Sequence, residues 1–83
     1  MNGTIKGEVF NMISKIEQDT TVPKNIKIKI QNILVDLKEE EKELDFRINR
    51  ALQDLDEISE DNNIPDYIRT QIWSIVSLLE SIE

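Results

Sequence analysis

Two stretches of the chain decide how it folds: "DTTVPKNIK" (Asp19 to Lys27) and "DNNIPDYIR" (Asp61 to Arg69). Both run aspartate, two small polar residues, a β-branched apolar residue, proline, then isoleucine and a cation, in the same order. Proline lacks an N–H and its ring locks φ in the helical range, so it suits the first turn of a helix. The residue before it, Val22 or Ile64, is driven out of the α region and ends the turn extended. Thr20, Thr21, Asn62 and Asn63 are turn and cap formers. Asp19 and Asp61 are placed to accept backbone N–H bonds across the turn. Asp19, Pro23, Asp61 and Pro65 therefore read as structural turn residues, and neither stretch needs a ligand to explain it.

The agreement extends outward when the chain is slid against itself so that Asp19 falls on Asp61. Ile16 then meets Ile58, Ile26 meets Ile68, Ile30 meets Ile72, Ile33 meets Ile75 and Leu37 meets Leu79. Upstream, Val9 meets Ala51, Phe10 meets Leu52 and Ile13 meets Leu55, without a gap. Each half reads as helix, turn, helix. Ile5, Val9, Met12, Ile13 and Ile16 recur at the helical period, as do Ile26, Ile30, Ile33, Leu34 and Leu37. Leu44, Ile48, Ala51, Leu52, Leu55 and Ile58 form a third stripe, and Ile68, Ile72, Ile75, Val76, Leu79 and Ile82 a fourth. Two hairpins with one apolar stripe each hide those stripes by facing each other. The expected fold is all-α: an antiparallel four-helix bundle built from two tandem helix-turn-helix hairpins, one a duplicate of the other. Residues 1–83 form one domain, with unit one over about 3–37, a charged connector over about 38–44 and unit two over about 45–82. The connector, "KEEEKE" (Lys38 to Glu43), has neither Gly nor Pro, so a loop and one continuous helix both remain open there.

Composition excludes several chemistries. There is no Cys and no His, which removes disulfides, thiolate or imidazole metal sites and the commonest general base. Two Gly, at positions 3 and 7, cannot build a phosphate-cradling loop. The net charge of −7 opposes general nucleic-acid binding. That charge is uneven: residues 1–38 carry +2 and residues 39–83 carry −9. Asp54, Asp56, Glu57, Glu60, Asp61 and Asp66 crowd one region but lack the spacing of a calcium loop, so they read as a solvated face with Arg47, Arg50 and Arg69 as counterions. No catalytic, cofactor-binding or metal residue is expected, nor any cofactor. The absence of a long apolar run and of cysteine leads us to expect a soluble, cytoplasmic protein.

Two features exceed what a minimal bundle needs. Ile28 and Val35 lie opposite the core stripe of their helix, where the second half has Thr70 and Ser77. Trp73 stands where the first half has Gln31, and it widens the apolar arc of the last helix together with Tyr67 and Leu78. Trp and Tyr are favoured at interfaces. Trp73, Tyr67, Leu78, Ile28 and Val35 are therefore the candidate interface residues of a non-enzymatic protein–protein interaction module, expected to self-associate as a homo-oligomer or to bind another protein. The alternative is an adaptor in a translation or nucleic-acid complex that uses the locally basic helix at Lys24, Lys27 and Lys29. A carboxylate metal site near Asp61 is a third reading.

The second half carries a resemblance. Arg47 to Glu83 contains "ISED" (Ile58 to Asp61), "NIP" (Asn63 to Pro65), R-T-x-x-W (Arg69 to Trp73) and "LLESI" (Leu78 to Ile82). This series resembles the C-terminal block of an archaeal family known as uncharacterised protein family 0147. The resemblance implies a small all-α fold and an archaeal, cytoplasmic source. It implies no activity and transfers no catalytic residue.

Overall fold

Four helices account for the computed structural model, which describes the backbone of residues 2–82 and the side chains of residues 7–82. They are α1 (Asn2–Gln18), α2 (Lys24–Lys38), α3 (Leu44–Ser59) and α4 (Asp66–Glu80). The helix starts obey the sequence repeat: the offset from Asn2 to Leu44 equals that from Lys24 to Asp66 and that from Asp19 to Asp61. Each helix packs on two others. α1 touches α2 and α4, α3 touches α2 and α4, and among the described residues the diagonal pairs do not meet. Consecutive helices joined by short turns and packed side by side must run antiparallel. The turns at 19–23 and 61–65 share one end, and the turn at 39–43 lies at the other.

The core is the inward stripe of each helix. Ile13, Ile16, Ile26, Ile30, Ile33, Ile48, Leu55, Ile58, Ile68, Ile72 and Ile75 are fully buried. Among the described residues, twelve of the eighteen buried apolar side chains are isoleucine. Isoleucine holds mainly one χ1 rotamer in a helix, so little rotamer entropy is lost when it is buried. Each fully buried side chain of this size contributes about 1.5–3 kcal/mol through loss of hydrated apolar surface. Val22 and Ile64 are buried at 4% and 5% exposure and close the core beneath the two proline turns. Ile5 lies outside the residues whose side chains are described.

The proline turns are built as aspartate-anchored loops. The Asp19 carboxylate accepts the Thr21 N–H at 2.8 Å, and the Asp61 carboxylate accepts the Asn63 N–H at 2.7 Å. Pro23 and Pro65 sit one step before the first helical residue, at φ −60°, ψ 152° and φ −62°, ψ 152°. Their carbonyls accept the first helical N–H groups, from Ile26 and Lys27 and from Ile68 and Arg69. No side chain caps either helix start. The expected capping by Thr20, Thr21, Asn62 and Asn63 is thus replaced: these residues shape the turn, and the aspartates hold it.

The connector is a third turn of the same form. α2 ends at Lys38 and α3 begins at Leu44, so the chain leaves the helix between them. Glu43 takes the place of Pro23 and Pro65, at φ −63°, ψ 147°, without the ring that would impose that φ. The turn is held instead by Arg47. Its Nη1 donates to the Leu37 carbonyl at 2.8 Å and its Nε to the Lys42 carbonyl at 3.1 Å. The last carbonyls of a helix have no intrahelical donor, so a guanidinium there satisfies them and meets the negative end of the α2 dipole. Arg47 is 8% exposed, and it is the one charged residue buried among the described residues. Its expected role as a counterion for the acidic region is therefore corrected.

Arg69 does the same at the far end. Its Nε donates to the Ser59 carbonyl and its Nη2 to the Asp61 carbonyl, both at 2.8 Å. Arg69 also ion-pairs with Asp66 at 2.8 Å, and Arg50 faces Asp36 at 3.6 Å. Arg47→Met keeps the aliphatic bulk but strands the Leu37 carbonyl. We expect a loss of about 1–3 kcal/mol in urea unfolding, with the lower midpoint only partly recovered by Arg47→Lys.

Candidate interaction surface

Among the described residues, large apolar side chains are exposed on α2, α3 and α4. Ile28 is 50% exposed, Val35 61%, Phe46 47%, Tyr67 48% and Trp73 57%. Their placement sorts them. Ile28 and Val35 point straight out from α2, opposite its buried stripe. Trp73 stands one turn beyond Arg69, which reaches α3, so Trp73 lies on the α3 edge of α4. Tyr67 and Leu78 lie on the other edge, toward α1. Leu78 is half-buried and packs against the core. α2 and α4 occupy opposite corners of the bundle, so the candidate interface residues form two faces rather than one.

Tyr67 is committed to a contact between the two proline turns. Its hydroxyl donates to the Asp19 carboxylate at 2.6 Å and lies 2.9 Å from the Thr21 hydroxyl. The Thr21 hydroxyl also donates to Asp19. Bonds from the Thr21 hydroxyl, the Tyr67 hydroxyl and the Thr21 N–H hold the Asp19 carboxyl below the usual carboxylate range, in that order of importance. Phe46 does not stand out in the sequence. Lys42 Nζ lies 5.4 Å and the Arg50 guanidinium 5.8 Å from its ring centre, so cations cover part of the exposed face. A cation one helical turn before or after an aromatic is the signal that would find this cluster.

The seam between α2 and α3 is charged. Lys29 lies 3.9 Å from Glu57, and Arg50 faces Asp36. Asp54 sits in this seam, and its pKa is raised, first by burial and then by the charges of Asp36 and Glu57. In the α1–α4 seam the repeat puts Met12 at the position equivalent to Asp54 and Leu78 at that equivalent to Asp36, and both are half-buried against the core. The Asp61 carboxylate is engaged by its own turn, and no group of three His, Cys, Asp or Glu able to hold a metal ion occurs among the described residues. At the end holding the connector, a cavity of about 10 Å³ lies between Phe10, Leu37, Leu44, Ile48 and Ile82. It has room for about one water and an apolar lining, so it is no substrate pocket.

A sequence profile of the Uncharacterised protein family (UPF0147) matches residues 2–82. The chain belongs to this family. A UPF0147 protein of Methanocaldococcus jannaschii is 44% identical over 79 residues, 95% of this chain and 84% of the relative. One from Thermoplasma volcanium is 37% identical over 82 residues, 99% and 92% of the two chains. A crystal structure of a UPF0147 protein from Thermoplasma acidophilum superposes with a TM-score of 0.93 at 34% identity, covering 99% of this chain and 96% of that one. A second crystal structure, of a protein described as of unknown function, is 48% identical with a TM-score of 0.86, covering 95% and 89%. The UPF0147 fold is thus all-helical, and the names of these relatives carry no activity. Among the described residues, no helix is long and apolar enough to cross a membrane.

The folded pKa of Asp54 lies above its unfolded value, so its charged form opposes folding at neutral pH, and that cost vanishes as pH falls through the folded pKa. Asp54→Asn should raise the melting temperature at pH 7 by about 2–4 °C, allowing for solvent screening of a partly exposed group, with the gain shrinking toward about pH 4. Asp19 has the opposite sign: its bonds stabilise the fold above the unfolded pKa and are lost as pH falls through the lowered one. In a carboxyl NMR titration, Tyr67→Phe should move the Asp19 midpoint upward part of the way toward an ordinary aspartate, and Thr21→Val should move it further.

Proposed function

We propose that this protein is a non-enzymatic helical interaction module that associates with further copies of itself. The observation that carries this reading is Trp73, 57% exposed on a helix whose other face is already committed to the core. Trp has the largest apolar surface of any side chain, and leaving more than half of it in water costs a chain that could place Gln there, as α2 does at Gln31. Ile28 and Val35 support the same reading from the opposite corner. The absence of His and Cys from the sequence, the engagement of the Asp61 carboxylate in its turn and the one-water size of the cavity all favour binding over catalysis. The adaptor reading that relies on Lys24, Lys27 and Lys29 has less support, because Lys29 faces the Glu57 carboxylate and the adjoining α3 surface is acidic.

Sedimentation equilibrium tests the proposal. The wild-type chain should show an average mass that rises with concentration. Trp73→Ala and, separately, Ile28→Ser should shift that curve toward the monomer, by about tenfold or more in the association constant for Trp73, as befits an interface anchor. A wild-type mass that stays monomeric up to millimolar concentration would overturn the self-association reading.

A further inference from the structure

The outward strips of α2 and α4 stand in the same register and carry opposite charge. On α2 the strip is Lys24, Ile28, Gln31, Val35 and Lys38; at the repeat-equivalent positions of α4 it is Asp66, Thr70, Trp73, Ser77 and Glu80. Steps of four and three keep each set on one side of its helix, the spacing of a coiled-coil seam. All ten side chains are exposed. Each strip is uncharged in the middle and charged at both ends, and the ends are about 21 Å apart in both. The lysine ends of α2 become acidic ends on α4.

From this match we infer that copies of the chain assemble head to tail, with the α2 strip of one seated on the α4 strip of the next. The inference rests on the self-association reading above and specifies its geometry. At a net charge of −7, two copies meet favourably only where the charges at the contact cancel. Two α4 strips facing each other bring four carboxylates together, and two α2 strips bring four lysines. An α2 strip on an α4 strip pairs Lys24 and Lys38 with Asp66 and Glu80 in either direction, because both ends of each strip have the same sign. The centre then brings Ile28 and Val35 against the Trp73 ring. Local contacts leave the strips available. Asp66 accepts an Arg69 bond yet its side chain is fully exposed, and Lys38 rests 5.9 Å above the Phe10 ring. Gln31 donates to Glu17 of α1, which places one acid at the border of the α2 strip. α2 and α4 lie at opposite corners and face away from each other, so no twofold pair satisfies both strips. The contact is heterologous and propagates into a ring or a row.

Mixing two half-disabled chains tests this directly. Ile28→Ser/Val35→Ser disables the α2 strip, and Trp73→Ala disables the α4 strip. Each variant alone should sediment as a monomer. Their equimolar mixture should sediment at twice the chain mass and no higher, since one intact α2 strip meets one intact α4 strip. A far-UV melting curve confirms that both variants fold. Should Trp73→Ala not fold, Asp66→Lys/Glu80→Lys replaces it, with Lys24→Glu/Lys38→Glu as its partner. Each of these is expected to be monomeric alone, and wild-type mass should return on mixing, because every strip then meets its opposite. A dimer formed by either disabled variant alone overturns the head-to-tail geometry in favour of a symmetric contact. A monomeric mixture beside an associating wild type also overturns it while leaving self-association standing. A monomeric wild type overturns both.

Discussion

A helix that ends inside a folded domain leaves carbonyl groups with no donor, and the rest of this structure depends on how those groups are met. Arg47 answers for α2 and Arg69 for α3, each one helical turn past the extended residue that opens the next helix. The guanidinium bridges the end of one helix and the start of its neighbour, so it fixes the turn and the pairing of the two helices together. With these two turns held, and the first held by Asp19, the isoleucine stripes face inward together. Without them, four short amphipathic helices could pair in several orders of similar energy.

Most of this frame is legible in the sequence, and the reasons are specific. Ile26, Ile30, Ile33 and Leu37 recur at the helical period, and their echo at Ile68, Ile72, Ile75 and Leu79 makes the second hairpin as plain as the first. Asp19 and Asp61 are readable because an aspartate two residues before a backbone N–H has a local bonding partner. The connector is not. Glu43 takes up a proline's angles without a proline, and Lys42 stands where Val22 and Ile64 are buried, so its composition hides its geometry. Arg47 reads as a surface counterion because arginine is rarely buried, although its spacing after the turn matches Lys27 and Arg69. The Tyr67 bond to Asp19 joins the two halves of the chain and leaves no local trace. The candidate surface is half legible: the outward residues can be placed on their helices, but their division between opposite corners requires the packing order.

The two halves share a backbone plan and differ in chemistry. The α2–α3 seam is lined by Lys29, Asp36, Arg50, Asp54 and Glu57, whereas Met12 and Leu78 take the places of Asp54 and Asp36 in the α1–α4 seam. Met12 and Leu78 contribute through burial, which changes little with salt or pH. A charged seam balances paired and unpaired carboxylates, and Asp54 is the member it accommodates least well. The α1–α4 contact places Met12 and Leu78 where the α2–α3 contact has Asp54 and Asp36, so the carboxylate that resists ionisation lies beside the connector.

The Arg47 bonds also bear on which molecule each hairpin folds against. If residues 39–43 straightened, α2 and α3 would run on as one long rod, and each hairpin could pack with the opposite hairpin of a second chain, remaking the core between molecules. Such domain swapping is a low-cost route to a dimer for any protein made of two similar halves. A proline at position 43 would oppose it by breaking the rod. This chain has Glu43 there, which permits the helix to continue, so the barrier rests on a side chain: the Arg47 bonds to the Leu37 and Lys42 carbonyls exist only while the turn is closed. The guanidinium thereby stabilises the closed turn, the form in which the two halves of one molecule face each other.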